Sequence, residues 1–375
     1  MKFDNQLRYA TNIIEEYNGR VPLSVWLKDF YRTNKQMGSR DRKTVSEMVY
    51  GFYRLGHNEF HSIEQRIKAF INISDSLPEV KAYFFPNGKE ADHISYEKIF
   101  PFQDVLSAGI DAAAFSRSFL VQPDLFIRVR PGNKPFVITK LVEKGINYQV
   151  FEENCIGFQN GTKIETVLDV NREVVVQDRS SQRTGEFIRE GLQASSNHPA
   201  VWDCCAASGG KSIMAYDIMG NIQLTVSDIR RSIIENLIGR FEEAGIKNYD
   251  SFVTDVTSHT VKISPSAYDL VIADVPCSGS GTWARTPEQL YFFMREKIKH
   301  YTELQKNIVS HTIPSMKKNS CLLYITCSVF EDENEKISEH IITHHSLKLL
   351  HAELIKGYNI KADTLYAALF TNRSV

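Results

Sequence analysis

The chain has no Cys-x-x-Cys pair among its 6 cysteines, at 155, 204, 205, 277, 321 and 327, and no histidine spacing that completes a zinc site. Reduced thiols are therefore expected, and a metal site is not. No apolar run approaches the roughly 20 residues needed to span a bilayer, and Met1-Lys2-Phe3-Asp4 lacks the apolar stretch of a signal peptide. The expectation is a soluble, cytoplasmic protein that does not engage membranes. Net charge is nearly absent too: 44 Lys and Arg against 45 Asp and Glu leave −1 at pH 7. That excludes a globally basic binder of nucleic acid and requires any basic surface to be local. Residues 1–70 supply one local excess, 12 Lys and Arg against 8 Asp and Glu, or 12 − 8 = +4. Gly-x-Gly-x-x-Gly does not occur, and Gly210-Lys211-Ser212 lacks the leading glycine and spacing of a phosphate loop, so phosphate-gripping loops are disfavoured.

What is present suits a globular chain of two or three domains: 375 residues, 42% of them hydrophobic, enough to bury a real core. Up to about residue 118 apolar residues recur at helical spacing, as in Val25, Trp26, Phe30, Tyr31 and then Val45, Met48, Val49, Phe52, Tyr53. Asp41 is placed to open a helix and Gly56 to close it, while Asp75 to Ser95, with Pro78, Pro86 and Gly88, reads as a connecting loop. Near Pro123 the pattern changes. Leu125 to Val129 alternates like a strand, Phe136 to Lys144 is helical, and Glu173 to Val176 is again a strand, giving a small α+β unit over 119–185. From about Ser195 short apolar strands alternate with helices, at Val201-Trp202, Leu224 to Val226, Phe252-Val253, Leu270 to Ala273 and Leu322 to Ile325. This alternation predicts an α/β fold with a doubly wound, mainly parallel sheet over 186–375, and a ligand crevice at the carboxyl ends of its strands.

The informative residues cluster at those ends. Asp203-Cys204-Cys205-Ala206-Ala207-Ser208-Gly209-Gly210-Lys211 runs from a strand through small residues into a helix, which lets a ligand approach bare backbone. Asp228 ends the next strand, where a carboxylate can grip ribose hydroxyls, and Asp255 ends a third. Together these features point to a nucleoside-containing cofactor. Asp274-Val275-Pro276-Cys277-Ser278-Gly279-Ser280-Gly281 then sets a carboxylate and a thiol after Leu270 to Ala273, and Thr326-Cys327-Ser328 brings a second thiol to the same edge. Free cysteine is commonly an inert apolar residue, and Cys155, Cys204 and Cys321 are read so; strand-end placement singles out Cys277 and Cys327.

Asp203-x-Cys205-Ala206-Ala207-x-Gly209-Gly210-Lys211, Asp274-x-Pro276-Cys277-Ser278-x-x-Gly281 and Thr326-Cys327-Ser328 together resemble the signature of the NOL1/NOP2/Sun family of RNA cytosine-5 methyltransferases. Leu125-x-x-Arg128-Val129 and Gln177-Asp178-x-Ser180-Ser181-Gln182 are similar to that family's segment before its catalytic domain, and Gly38-Ser39-Arg40-Asp41-Arg42 to the helical extension of its ribosomal-RNA, RsmB-like branch. The resemblance implies a Rossmann-like S-adenosyl-L-methionine-dependent domain at 186–375, a small RRM-like domain at 119–185 and a helical domain at 1–118 that is a candidate for RNA binding. It further implies that Cys205, Ala206, Ala207, Ser208, Gly209, Gly210, Lys211, Asp228, Asp255 and Asp274 contact S-adenosyl-L-methionine. Cys327 would be the nucleophile, Asp274 would assist at the ring and Cys277 would assist product release. Ser208 departs from the family pattern, which has proline there.

Cytosine carbon 5 is too weak a nucleophile to accept a methyl group until a thiolate adds at carbon 6, so the implied chemistry is covalent catalysis. Small-subunit ribosomal RNA is the expected substrate, transfer RNA the next, and a monomer the expected state. Arg128, Arg130, residues Gly38 to Lys43, Trp283 and Arg285 are candidates for gripping RNA around a base drawn from its stack. Three other readings compete: a DNA-type enzyme with Cys277 as nucleophile, a nicotinamide dehydrogenase that leaves both thiols without a task, and a ribosome-assembly factor that binds RNA without turnover.

Overall fold

Helices follow from the amphipathic spacing of the first 120 residues: α1 (Phe3–Glu16), α2 (Leu23–Thr33), α3 (Ser39–Arg54), α4 (Ile63–Ile73), α5 (Pro78–Phe84), α6 (Tyr96–Ile99) and α7 (Ala112–Ser118). The computed structural model describes residues 2–88, 94–193, 195, 197–258 and 264–373. Leu7, Ala10, Ile13, Leu23, Leu27, Val45, Met48, Val49, Ile67 and Ile71 form one buried cluster, so the apolar stripes of α1 to α4 face each other. The predicted loop at 75–95 is corrected by α5. Pro78 stands in that helix's first turn, where its missing N–H costs nothing, and so begins a helix rather than breaking one. Residues 89–93 of that loop lie outside the described residues.

The remaining elements are β1 (Leu125–Val129), α8 (Lys134–Glu143), β2 (Gln149–Val150), β3 (Cys155–Phe158), β4 (Val174–Val176), α9 (Arg179–Leu192), β5 (Ala200–Asp203), α10 (Gly210–Met219), β6 (Gln223–Asp228), α11 (Arg231–Ala244), β7 (Tyr249–Val253), β8 (Tyr268–Asp274), α12 (Pro287–Phe292), α13 (Glu296–Thr312), β9 (Met316–Thr326), α14 (Glu335–His345), β10 (Lys348–Ile355) and β11 (Leu365–Thr371). Two units emerge. One holds 1–106, 111–122 and 282–295; the other holds 107–110, 123–281 and 296–375.

In the second unit β1 to β4 make an antiparallel sheet ordered β2-β3-β1-β4. The larger sheet runs β10-β11-β9-β8-β5-β6-β7. Its strands from β9 to β7 are parallel, whereas β11 pairs antiparallel with both β9 and β10. Successive residues of each strand feed opposite layers. Val201, Leu224, Leu270, Ile272 and Leu323 pack with Phe187, Ile213, Leu237 and Phe241 of α9 to α11. Trp202, Val271, Ala273, Leu322 and Tyr324 pack with Ile308, Val309, Ile337 and Ile341 of α13 and α14. Helices on both faces explain why the central strands read as continuous apolar runs. The strand order reverses between β5 and β8, which places the expected crevice at their carboxyl ends. Among the described residues, no helix is long and apolar enough to cross a membrane.

Candidate active site

β5 ends at Asp203, whose side chain is buried. Ser212 of α10 donates to its Oδ2 at 2.6 Å, while Oδ1 has no partner among the described residues. Burial, with the Asp274 carboxylate adding to it, pushes the Asp203 carboxyl up to about 7. The chain then turns through Cys204 to Gly209. Ala206 donates its N–H to the Ser227 carbonyl at 2.9 Å, and Ala207, at φ 45°, donates to Asp228 Oδ2 at 3.1 Å. Gly209 precedes α10 at φ 81°, and a Cβ there would sit 2.8 Å from the Phe241 ring, so glycine is required for both conformation and space. A Cβ on Gly210 would meet open space. These small residues thus leave backbone accessible beside an acidic strand end, which fits a nucleoside-bearing ligand.

Asp228 ends β6 and is held by Arg230, which donates Nε to Oδ1 at 3.0 Å and Nη2 to Oδ2 at 3.2 Å. The Arg230 side chain is 59% exposed, so it can leave the carboxylate to a ligand. Asp255 is exposed and accepts from Thr257 N and Oγ1 within its own turn; among the described residues it bonds to none of the other candidates. Lys211, in the first turn of α10, donates to Asp274 Oδ2 at 2.5 Å. Burial works against the Lys211 ammonium, but Asp274 and the Cys327 sulfur outweigh it and hold its pKa above the ordinary lysine value.

The two thiols meet. The Cys327 N–H, just past β9, donates to Cys277 Sγ at 3.3 Å, and both residues are half-buried. Interaction with the Cys327 side chain, then burial, pushes the Cys277 thiol above the usual cysteine value. The structure therefore brings together Lys211 with Asp274, Cys277 with Cys327, and Ala207 with Asp228.

Sequence reasoning missed the residue that ties the two thiol loops. Glu333 is fully buried and accepts from Ser278 N at 2.8 Å, Ser278 Oγ at 2.5 Å, Gln305 Nε2 at 3.2 Å and Ser328 Oγ. Gln305 also donates to the Pro276 carbonyl at 3.0 Å, and Tyr324 to that of Glu333 at 2.7 Å. One carboxylate thus anchors the residue after each cysteine. Its sequence signal was faint, a glutamate six residues beyond Cys327 in an acidic stretch that reads as solvent-facing.

Several RNA-gripping candidates are corrected. Arg128 and Arg130 are buried; both grip Asp217 of α10, at 2.6 and 2.8 Å, and Arg130 also caps the Ala244 carbonyl that ends α11. A strand so placed uses its arginines to weld the small sheet to the larger one. Trp283 is fully buried against Phe100, Phe102 and Phe293 in an aromatic core, rather than at a pocket mouth. Arg285 is half-buried and its N–H donates to the Thr282 carbonyl. Arg40 and Lys43, on the first turns of α3, are exposed.

Residues 191–371 match the family model for the 16S rRNA methyltransferase RsmB/F. This part of the chain, just under half of it, is similar to the methyltransferase domain of the RsmB/F family. The match agrees with the resemblance of the three motifs to the NOL1/NOP2/Sun enzymes, and the larger sheet has the fold of S-adenosyl-L-methionine-dependent methyltransferases. The probable ribosomal RNA small subunit methyltransferase B of Bacillus subtilis is 24% identical over 311 residues, 81% of this chain and 68% of that protein. Ribosomal RNA small subunit methyltransferase B of Photorhabdus laumondii is 30% identical over 185 residues, 48% of this chain and 41% of that protein. The chain thus spans about two thirds of one relative and less than half of the other. Among solved structures, PH0851 superposes with a TM-score of 0.74 at 19% identity, over 97% of this chain and 98% of that one. NSun6 of Pyrococcus horikoshii, solved with SFG, gives 0.61 at 12% identity, over 74% and 96%. These two likenesses establish the fold.

Proposed function

We propose that the chain is an S-adenosyl-L-methionine-dependent RNA methyltransferase that modifies carbon 5 of a cytidine in small-subunit ribosomal RNA, through a covalent bond from Cys327 to carbon 6. The observation that carries this reading is the meeting of the two thiols at one strand edge. The Cys327 N–H donates to Cys277 Sγ at 3.3 Å, with Lys211 and Asp274 at the same edge. The choice of Cys327 over Cys277 as nucleophile rests on the likeness of Thr326-Cys327-Ser328 to the third motif of the RNA enzymes, which the DNA-type assignment leaves without a task. The substrate class rests on the B and F relatives, whose names specify small-subunit ribosomal RNA.

Cys205 to Lys211, Asp228, Asp255 and Asp274 would hold the cofactor, which supplies an electrophilic methyl group when bound. Cys327 adds to carbon 6 and turns carbon 5 into an enamine carbon able to accept that methyl. Asp274, steadied by Lys211, would hold a proton at the cytosine ring nitrogen as charge moves onto the ring. Once the proton on carbon 5 is lost, the bond to Cys327 breaks, and Cys277 promotes this release directly or through water.

RNA grip falls to α3, where Arg40 and Lys43 are exposed, and residues 1–118 form the RNA-binding domain of this reading. The small sheet of 119–185 buries Phe126 and Phe158 on opposite faces, so neither ring offers a platform for stacking a base.

Cys277→Ala tests the assignment. With RNA and cofactor it should accumulate a covalent protein–RNA species, seen as a retarded band on a denaturing gel and lost on adding Cys327→Ala. A Cys277→Ala enzyme that turns over without such a band would overturn the release role.

A further inference from the structure

Ser208 is the one position where the cofactor loop departs from its family's pattern, and the structure shows what surrounds it. Its neighbours Ala207 and Gly209 both have left-handed backbone, at φ 45° and 81°, which strains a residue bearing a Cβ such as Ala207. Ser208 itself has negative φ, so a chain with serine there gains no rotational restraint of the kind a proline ring supplies. An arginine sits against it. Arg240 of α11 donates from Nη1 to both the Ser208 carbonyl and the Ser208 Oγ, each at 2.7 Å. Its Nε donates to Asn171 Oδ1 at 3.0 Å. Asn171 is 7% exposed and fixed in turn: its Nδ2 donates to Glu243 Oε2 at 2.7 Å, and its carbonyl accepts from Arg130 Nη1 at 2.9 Å. The guanidinium is therefore anchored before it reaches the loop.

We infer that Arg240 is a positioning residue that locks the cofactor loop from outside, substituting for the restraint that proline would provide at 208. The inference rests on the reading of this loop as the S-adenosyl-L-methionine site. Two fixed acceptors on one residue, held by a planar and pre-anchored donor, set the Ser208 peptide orientation; that orientation in turn fixes Ala207 next to Asp228 and Gly209 at the start of α10. Lysine in place of arginine cannot reproduce the fork. Arg240 acts on the loop and not on the thiols, so its loss should weaken cofactor binding while leaving the chemical step alone.

The test uses the full chain with S-adenosyl-L-homocysteine as the probe, measured by calorimetry, and methyl transfer for kcat and KM. Arg240→Ala and Arg240→Lys should each raise the dissociation constant, by about tenfold for alanine, and raise KM for the donor with kcat unchanged. Adding Ser208→Pro to Arg240→Ala should recover most of the lost affinity. The Ser208 N–H makes no hydrogen bond among the described residues, so proline sacrifices none there. A lesion that merely damaged the fold would not be rescued by a proline in the loop. Wild-type affinity in Arg240→Ala would overturn the inference, and so would a loss that proline fails to restore. If the unaltered chain does not bind the probe at all, the reading of the site fails, and that outcome is distinct from both.

Discussion

Asp203 carries a cost that varies with pH. Its carboxyl is 1% exposed, has one hydrogen bond from Ser212 and leaves Oδ1 without a partner among the described residues. Burial raises its pKa from 3.8 to about 7. The folded state therefore favours the protonated form. Stability attributable to this group is greatest below pH 4, falls as pH climbs from about 4 to about 7, and is level above. A tenfold change in proton affinity is worth about 1.4 kcal/mol, so the full loss is about 4 kcal/mol, of which about 3 kcal/mol falls between pH 5 and pH 8. Asp203→Asn removes the titration and keeps an acceptor for Ser212. Any cost of the new amide is the same at every pH. Urea unfolding of both proteins at pH 5, 6, 7 and 8 should thus show the variant gaining about 3 kcal/mol on wild type across the series. A difference that stays constant would refute the reasoning, because it would mean that the buried carboxyl keeps an ordinary acidity.

Further expectations concern residues outside the three motifs. Asp217→Ala leaves Arg128 and Arg130 buried without a counter-charge and should cost about 3–5 kcal/mol in chemical unfolding; a loss under about 1 kcal/mol would show that the pair is not a weld. Glu333→Gln keeps the side-chain shape but spoils the shared acceptor of Ser278 and Ser328, so turnover should fall roughly tenfold to a hundredfold with S-adenosyl-L-homocysteine affinity retained. Single-turnover methyl transfer at the wild-type rate would contradict that role.

The strands that matter most were legible in the sequence because they are buried on both faces. Leu270 to Ala273 and Leu322 to Ile325 are fully buried, and continuous apolar runs that give way abruptly to Asp274 or Cys327 mark central strands of a parallel sheet. The added antiparallel edge strand β10 was not foreseen: Leu349 and Leu350 are exposed, so Lys348 to Ile355 lacks a clean strand alternation. Pro78 misled because proline both ends helices and begins them, and only the chain's geometry distinguishes the two. Arg128 and Arg130 read as RNA ligands because their partner Asp217 lies 89 and 87 residues away. Likewise Glu333 meets Ser278 across 55 residues and Arg240 meets Ser208 across 32. Spacing shows which residues leave the same strand end. It does not show which distant carboxylate or guanidinium holds them there.

The central claim is that Cys327 is the nucleophile for cytosine methylation. Transfer of labelled methyl from S-adenosyl-L-methionine to total cellular RNA, followed by nucleoside analysis, tests it most directly in wild type and Cys327→Ala. Label should appear in 5-methylcytidine with wild type and vanish with the variant. Label that persists in Cys327→Ala would contradict the account and move the attack to Cys277, and wild type that labels no RNA would point instead to a binding protein without turnover.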